Sequence, residues 1–318
     1  MGHPGLTILG YHQVIEGTPD PVENFDGTMI GREAFTEQLA VLQKYYELVS
    51  LADWPRLQNQ NETRRLLAIT FDDGYADNAT VAWPILRERR IPATFFITTG
   101  FVDGTLRPWS DRLRSAIAKT TETSLTLSEL SESPIRIETQ SEKINCLSML
   151  FKHLKQLDDD AKKKTVADIC RQCEAHDESP THPAMSWNQL RQMVAEGADV
   201  GGHTVDHPIL SRIGTDEVMR EIANCKATLE QQLNMNITLF AYPNGTRDDF
   251  NADCIDAVAR SGYELAVTTI PGINSGDSSS NLELRRIVIN GNHSIRRVLN
   301  RLNTNESSTP SPHAAAQI

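Results

Sequence analysis

No stretch of this 318-residue chain approaches the roughly 20 consecutive apolar residues that a membrane-spanning helix requires. Cysteine is scarce and odd in number: Cys146, Cys170, Cys173, Cys225 and Cys254. That usage argues against a disulfide framework and for a reducing compartment. Cys170-Arg-Gln-Cys173 has the CxxC form, but it falls in a predicted helix with no second pair to complete a zinc site, so it reads as structural. A basic surplus is missing as well. The formal net charge of −11 counts against a nucleic-acid or anionic-membrane partner, because phosphate binding needs concentrated Lys and Arg. The main basic run, Lys162-Lys-Lys164, follows Asp158-Asp-Asp160 and reads as a solvated helix start. Met1-Gly-His-Pro-Gly5 shows neither a basic n-region nor a long apolar h-region. The expectation is a cytoplasmic protein, with an extracytoplasmic one the alternative if the N-terminus has been trimmed.

What is present is concentrated in a few short segments. Leu67-Ala-Ile-Thr-Phe-Asp-Asp-Gly74 is an apolar run that ends in two adjacent carboxylates. A strand alternates its side chains, so Asp72 and Asp73 belong where the strand opens into a loop and can serve different partners. One reading puts one carboxylate on a metal and its neighbour on the water beside it. The other makes the acids a cap for the helical run that begins near Ala76. Asp199-Val-Gly-Gly-His-Thr-Val-Asp-His-Pro208 favours the metal. His203 and His207 stand four apart, the spacing that brings two imidazoles to one side of a helical turn, and Pro208 stops that turn. The glycine pair before His203 lets backbone or ligand approach closely. One Asp with two His is a common three-ligand set for a catalytic divalent cation.

Thr70-Phe-Asp-Asp-Gly74 and His203-Thr-Val-Asp-His207, followed by Phe240-Ala-Tyr-Pro-Asn-Gly245, resemble the three ordered motifs of the polysaccharide deacetylase family, the NodB-homology carbohydrate esterases. Leu9-Gly-Tyr-His-Gln-Val14 and Leu284-Arg-Arg-Ile287 are similar to segments of its poly-N-acetylglucosamine deacetylase branch. The resemblance implies a distorted (β/α)7–8 barrel.

Periodicity is consistent with that architecture. Short apolar runs near Leu6–Tyr11, Leu67–Thr70, Ala93–Thr98, Asp199–Gly202, Leu239–Tyr242, Glu264–Thr269 and Leu284–Asn290 read as strands. Amphipathic helices are predicted at Arg32–Tyr45, Ala76–Arg89, Ser186–Glu196, Thr215–Leu233 and Asn251–Ser261, with a capping box at Ser186 and closing glycines at Gly197 and Gly262. Such alternation argues a parallel sheet, with its chemistry after the strand ends. One barrel domain is expected over 1–303, carrying an inserted helical cap at about 103–184, with a disordered tail at 304–318.

The family's roles carry over residue by residue. Asp73, His203 and His207 would hold a divalent metal; the mixed N/O set suits zinc, with iron, cobalt, nickel or manganese as alternatives. Asp72 would be the base, and the backbone N–H of Tyr242 an oxyanion donor. The family's usual late Leu-x-His is missing, so the acid is assigned to His12, with His293 in reserve. Arg286 is placed to reach Asp72 and keep its pKa low; the alternative is that Arg285 and Arg286 both snorkel to solvent. Trp109, Asp111, Trp187, Pro243 and Asn244 are the candidate substrate contacts, against plain core or turn roles. The expected activity is removal of N-acetyl groups from an amino sugar or N-acetylated polysaccharide. A C–N hydrolase acting on a small amide and a sugar-binding module on a degenerate barrel are the alternatives.

Overall fold

The computed structural model describes residues 5–58, 64–175, 180–275, 280–294 and 297–298, so the expected tail at 304–318 lies outside the described residues. The chain divides into two compact units. Among the described residues, one takes 5–17, 28–106 and those from 184 to 298; the other takes 18–27 and 107–183.

The first unit is built on parallel strands: β1 (Gly5–Tyr11), β2 (Glu47–Leu48), β3 (Arg65–Phe71), β4 (Ala93–Ile97), β5 (Asp199–Gly202), β6 (Leu239–Ala241), β7 (Leu265–Val267) and β8 (Ile287–Val288). They pair in the order β7-β6-β5-β4-β3-β1-β8, with β2 also on β3. The register is set by a long pairing of Gly5–Tyr11 with Arg65–Phe71, residue for residue. A parallel bridge of Val267 to Leu284, just before β8, links the two outer strands of this path. The result is a curled parallel sheet in a distorted (β/α) barrel. Strands buried on both faces need near-continuous apolar runs, and β1, β4 and the Leu66–Phe71 part of β3 are buried throughout.

Helices cover the outside. Arg32–Tyr45 and Thr215–Leu233 have the bounds their periodicity predicts. Ser186 and Gln189 form the expected capping box, and Gly197 and Gly262 follow their helices in left-handed backbone. The expected helix at Ala76–Arg89 is instead a π-helical turn over Asn78–Ala82 followed by an α-helix over Trp83–Glu88. Short pairings at Gln13–Ile15 with Met29–Gly31 carry too few residues to leave a pattern in the sequence.

The second unit has its own core, formed among others by Leu113, Ile117, Leu147, Leu150, Val166 and Ile169. Its helices are Trp109–Lys119, Gln140–Leu154 and Asp159–Gln172. Asp158 caps the last of these, accepting the Ala161 N–H at 2.9 Å, but Lys162 is buried rather than solvated. Cys146, Cys170 and Cys173 form no disulfide and are buried in this core, a packing role for the CxxC pair.

Both glycines that precede His203 are explained by packing. A Cβ on Gly201 would lie 2.6 Å from the Phe96 ring and 2.7 Å from the Leu239 carbonyl, and one on Gly202 2.3 Å from the Tyr263 hydroxyl. The close approach anticipated there is made by core side chains and a neighbouring strand. Gly201→Ala is therefore expected to lower stability by about 1–3 kcal/mol through overpacking. Urea unfolding would show this as a lower midpoint at unchanged slope.

Candidate metal centre and active site

β3 ends by splitting its two carboxylates. The Asp72 N–H still bonds the Tyr11 carbonyl at 3.0 Å, continuing the ladder with β1. Asp73 then enters left-handed backbone at φ 75°, and the Gly74 N–H closes a three-residue turn on the Asp72 carbonyl at 3.0 Å. Such tight turns are strained for a non-glycine residue. The consequence is that the two neighbouring side chains leave in different directions.

Asp72 points to Arg286. Its two oxygens receive the guanidinium Nη1 and Nη2 at 2.6 Å each, a bidentate fork. Arg286 is wholly buried; its Nε donates to the Thr268 carbonyl at 3.1 Å and its Nη1 also to Thr70 Oγ1 at 3.1 Å. Gly10 leaves the room: a Cβ there would lie 3.2–3.3 Å from the Arg286 side chain. Burial by itself would raise the Asp72 carboxyl, but the charge and hydrogen bonds of Arg286 hold it well below the usual carboxylate range. Arg285 leaves the other way, with its Nη1 3.4 Å from the Pro271 carbonyl.

Asp73 points to the two histidines. Its Oδ1 lies 3.6 Å from His203 Nε2 and 3.5 Å from His207 Nε2. All three ligand atoms fall within 4.8 Å of one another. Donors held about 2.0–2.2 Å from one tetrahedral ion sit about 3.3–3.6 Å apart, so two of these separations match a shared cation. The chemistry of the donors agrees. His203 Nδ1 lies 2.8 Å from the Ala241 carbonyl, which can only accept, so the ring proton sits on Nδ1 and Nε2 carries a lone pair. Burial pushes the His203 pKa down to about 4, against the opposite pull of Asp72, keeping the ring neutral. A lone pair then faces a carboxylate oxygen, an arrangement that a cation between them reconciles.

The two histidines do not lie on a helical turn, as their spacing suggested. The segment after β5 is a loop with Thr204 at φ 66° and His207 at φ 55°, and this bend brings the ring centroids to 4.8 Å.

His12 follows directly on β1. Its carbonyl accepts Asn78 Nδ2 at 2.7 Å, its Nδ1 is buried without a hydrogen-bond partner, and the ring is near enough to act electrostatically on Asp72. His293 sits in a turn after β8, its N–H 2.9 Å from the Asn290 carbonyl.

The structure corrects the assignment of Tyr242. Its backbone N–H donates to the Val267 carbonyl at 3.1 Å, because hydrogen bonding between β6 and β7 continues one residue past Ala241. Its hydroxyl donates to the Leu282 carbonyl at 3.0 Å and burial pushes that phenol further up, so it stays protonated. Both donors are thus engaged with backbone carbonyls. The turn that follows holds buried Pro243 and Asn244, whose φ is 57° and whose carbonyl accepts Thr269 Oγ1 at 2.6 Å.

The aromatic candidates are engaged internally. Trp109 packs on Phe151 at a centroid distance of 4.8 Å, and Asp111 pairs with buried Arg114 at 2.9 Å, both within the second unit. Trp187 Nε1 donates to Asp103 at 2.8 Å while its ring packs against the barrel's core.

The buried fork gives a pH test with a definite sign. The Asp72 carboxyl is held below its unfolded value of about 4, so its stabilisation is fully present above that pH and is lost as pH falls. In Arg286→Met, burial dominates and the carboxyl rises, so stability is lost as pH increases above about 4. The variant should be about 3–5 kcal/mol less stable than the parent at pH 7, a gap that narrows toward pH 4. Urea unfolding across that range measures it, and a gap independent of pH would contradict it.

The family model for polysaccharide deacetylases matches residues 59–266, which contain all three motifs. YxkH of Bacillus subtilis (strain 168) is 29% identical over 279 residues, covering 86% of this chain and 67% of that protein. Among solved structures, the deacetylase PplD of Streptococcus pyogenes, in complex with acetate, superposes with a TM-score of 0.62 at 22% identity, covering 95% of this chain and 100% of that one. IcaB of Ammonifex degensii superposes at 0.61 and 19%, covering 95% and 99%. These likenesses are of fold. With the family match spanning most of the barrel and its paired carboxylates and histidines, the chain belongs to the polysaccharide deacetylase family.

Proposed function

We propose that this chain is a divalent-metal-dependent deacetylase that removes N-acetyl groups from an amino sugar or its polymer. The observation that carries the reading is the division of labour between neighbouring carboxylates: Asp73 turned to two imidazoles, Asp72 held in the fork of Arg286. Asp73, His203 and His207 would hold the metal, for which zinc is the first choice given two imidazoles and one carboxylate. When bound, the cation supplies Lewis-acid polarisation of the acetyl carbonyl and a lowered pKa for its water.

The chain's own groups do the rest. Asp72 is ionised throughout the neutral range and takes a proton from the attacking water. Arg286 engages each of its oxygens once, and a carboxylate oxygen has a second lone pair for this task. The fork also fixes the direction in which that lone pair points. As the water oxygen bonds to the acetyl carbon, the C–N bond breaks and His12 gives a proton to the departing nitrogen, which leaves as the amine. The anchoring of the His12 carbonyl by Asn78 holds the ring at the end of β1.

Acetate release from a panel of N-acetylglucosamine oligomers tests this, using protein stripped with a chelator and refilled with zinc, cobalt or manganese. Release should return only with metal. Asp72→Asn should lose about 10²–10⁴-fold in turnover while still binding metal. Release that survives chelation, or turnover unchanged in Asp72→Asn, would contradict the mechanism. Metal binding without release from any oligomer would favour a small non-carbohydrate amide as substrate. His12 has a separate test. An amine must be protonated to leave, whereas an activated aryl acetate loses its phenolate unaided. His12→Ala should therefore slow the amide by about 10²-fold or more and leave the aryl ester almost unaffected. Equal losses on both substrates would make His12 a packing residue.

A further inference from the structure

The loop between the two histidines is strained and is held from outside by a residue distant in sequence. Thr204 and His207 are both in left-handed backbone, at φ 66° and 55°, a conformation that a β-branched residue such as Thr204 rarely adopts. Within the loop, Thr204 Oγ1 accepts the His207 N–H at 3.0 Å and donates to the His203 carbonyl at 2.6 Å. On one flank, the N–H groups of Thr99 and Gly100 bond the Thr204 and Val205 carbonyls at 3.2 and 2.9 Å. That flank has no slack, since a Cβ on Gly100 would lie 2.7 Å from both the Val205 carbonyl and Asp206 Oδ1. On the other flank, Glu221 Oε2 accepts the N–H groups of both Val205 and Asp206, each at 2.9 Å.

Successive N–H groups point to opposite sides of an extended chain, so two can converge on one oxygen only if the backbone between them is coiled. The Glu221 carboxylate therefore enforces the turn it caps. It does so from a rigid support: on the helix Thr215–Leu233, Val218, Ile222 and Cys225 are all buried in the barrel's core. The two metal-facing imidazoles differ in their place in the fold. His203 follows directly on β5 and is 2% exposed, and His207 is 30% exposed and stands at the far end of the strained loop.

We propose that Glu221 is a positioning residue for the metal centre: by taking both amides at the crown of the loop, it keeps His207 Nε2 opposite Asp73 and so sets metal affinity. The inference rests on the metal reading given above and adds to it a residue outside all three motifs.

The test is zinc affinity of the metal-free full chain, measured by competition with a chromophoric chelator, together with the thermal midpoint of each metal-free variant. Glu221→Ala removes the acceptor. Glu221→Asp keeps the charge but falls one methylene short of the loop, and Glu221→Gln keeps an oxygen at full reach without the charge. Glu221→Ala and Glu221→Asp should bind zinc about 10–100-fold more weakly, the range for groups that orient metal ligands. Glu221→Gln should stay within about threefold of the parent, with an unchanged thermal midpoint. If Glu221→Ala does not fold, the Asp and Gln variants decide the matter. Affinities of Ala and Asp within threefold of the parent would overturn the proposal. So would an Asp variant that keeps affinity while Gln loses it, because the effect would then be one of charge. Failure of the metal reading itself looks different: the parent would bind no zinc, or bind it equally well as His203→Ala.

Discussion

One buried guanidinium ties the barrel to its chemistry. Arg286 reaches from the residue before β8 across the barrel interior, bonding the Thr268 carbonyl beyond β7, Thr70 within β3 and both oxygens of Asp72 at the end of β3. Gly10 on the intervening β1 is small because the side chain passes over it. A buried ion pair is weak evidence for stability in itself, since desolvation offsets much of the attraction. Its value here is directional. The fork fixes the plane of one carboxylate and keeps it ionised, as the base role proposed for Asp72 requires.

The second constraint is backbone strain. Each of the three sequence motifs places a non-glycine residue in left-handed backbone: Asp73 in the first, Thr204 and His207 in the second, Asn244 in the third. These conformations are unfavourable and persist only where the surroundings over-determine them. At Asp73 the turn is what separates two adjacent side chains, one to Arg286 and one to the histidines. At Thr204 the bend brings together two imidazoles that no regular helix supports. The Asp73 turn is held by its bonds to the neighbouring strand and loop, and the Thr204 loop by Thr99, Gly100 and Glu221 on its flanks, so the site gains a geometry that an unstrained loop would not hold.

How much of this was legible in the chain follows from how local each feature is. Asp72 with Asp73, and His203 with His207, are short-range patterns, so their meeting could be anticipated, although the loop that joins the histidines could not. The partnership of Arg286 with Asp72 spans most of the chain and was accessible only through a resemblance. The Tyr242 amide was misjudged because nothing local states where a ladder of hydrogen bonds stops, and here it runs one residue further than its strand. Residue type is a weaker guide at Trp109 and Asp111, which are engaged in the internal packing and pairing of their own unit. Glu221 left no signal, because one acid on an amphipathic helix is indistinguishable from the solvated acids around it. Its role appears only when the helix is seen beside the loop.

The central claim is that Asp73, His203 and His207 form one metal centre while Asp72 stands free of it. Anomalous diffraction at the zinc edge, from a crystal of the full chain equilibrated with zinc, tests that directly. The account predicts one dominant peak about 2.0–2.2 Å from an Asp73 oxygen and from Nε2 of both histidines, with Asp72 still in the fork of Arg286. No peak at this position in protein that releases acetate, or a peak ligated by Asp72, would contradict it.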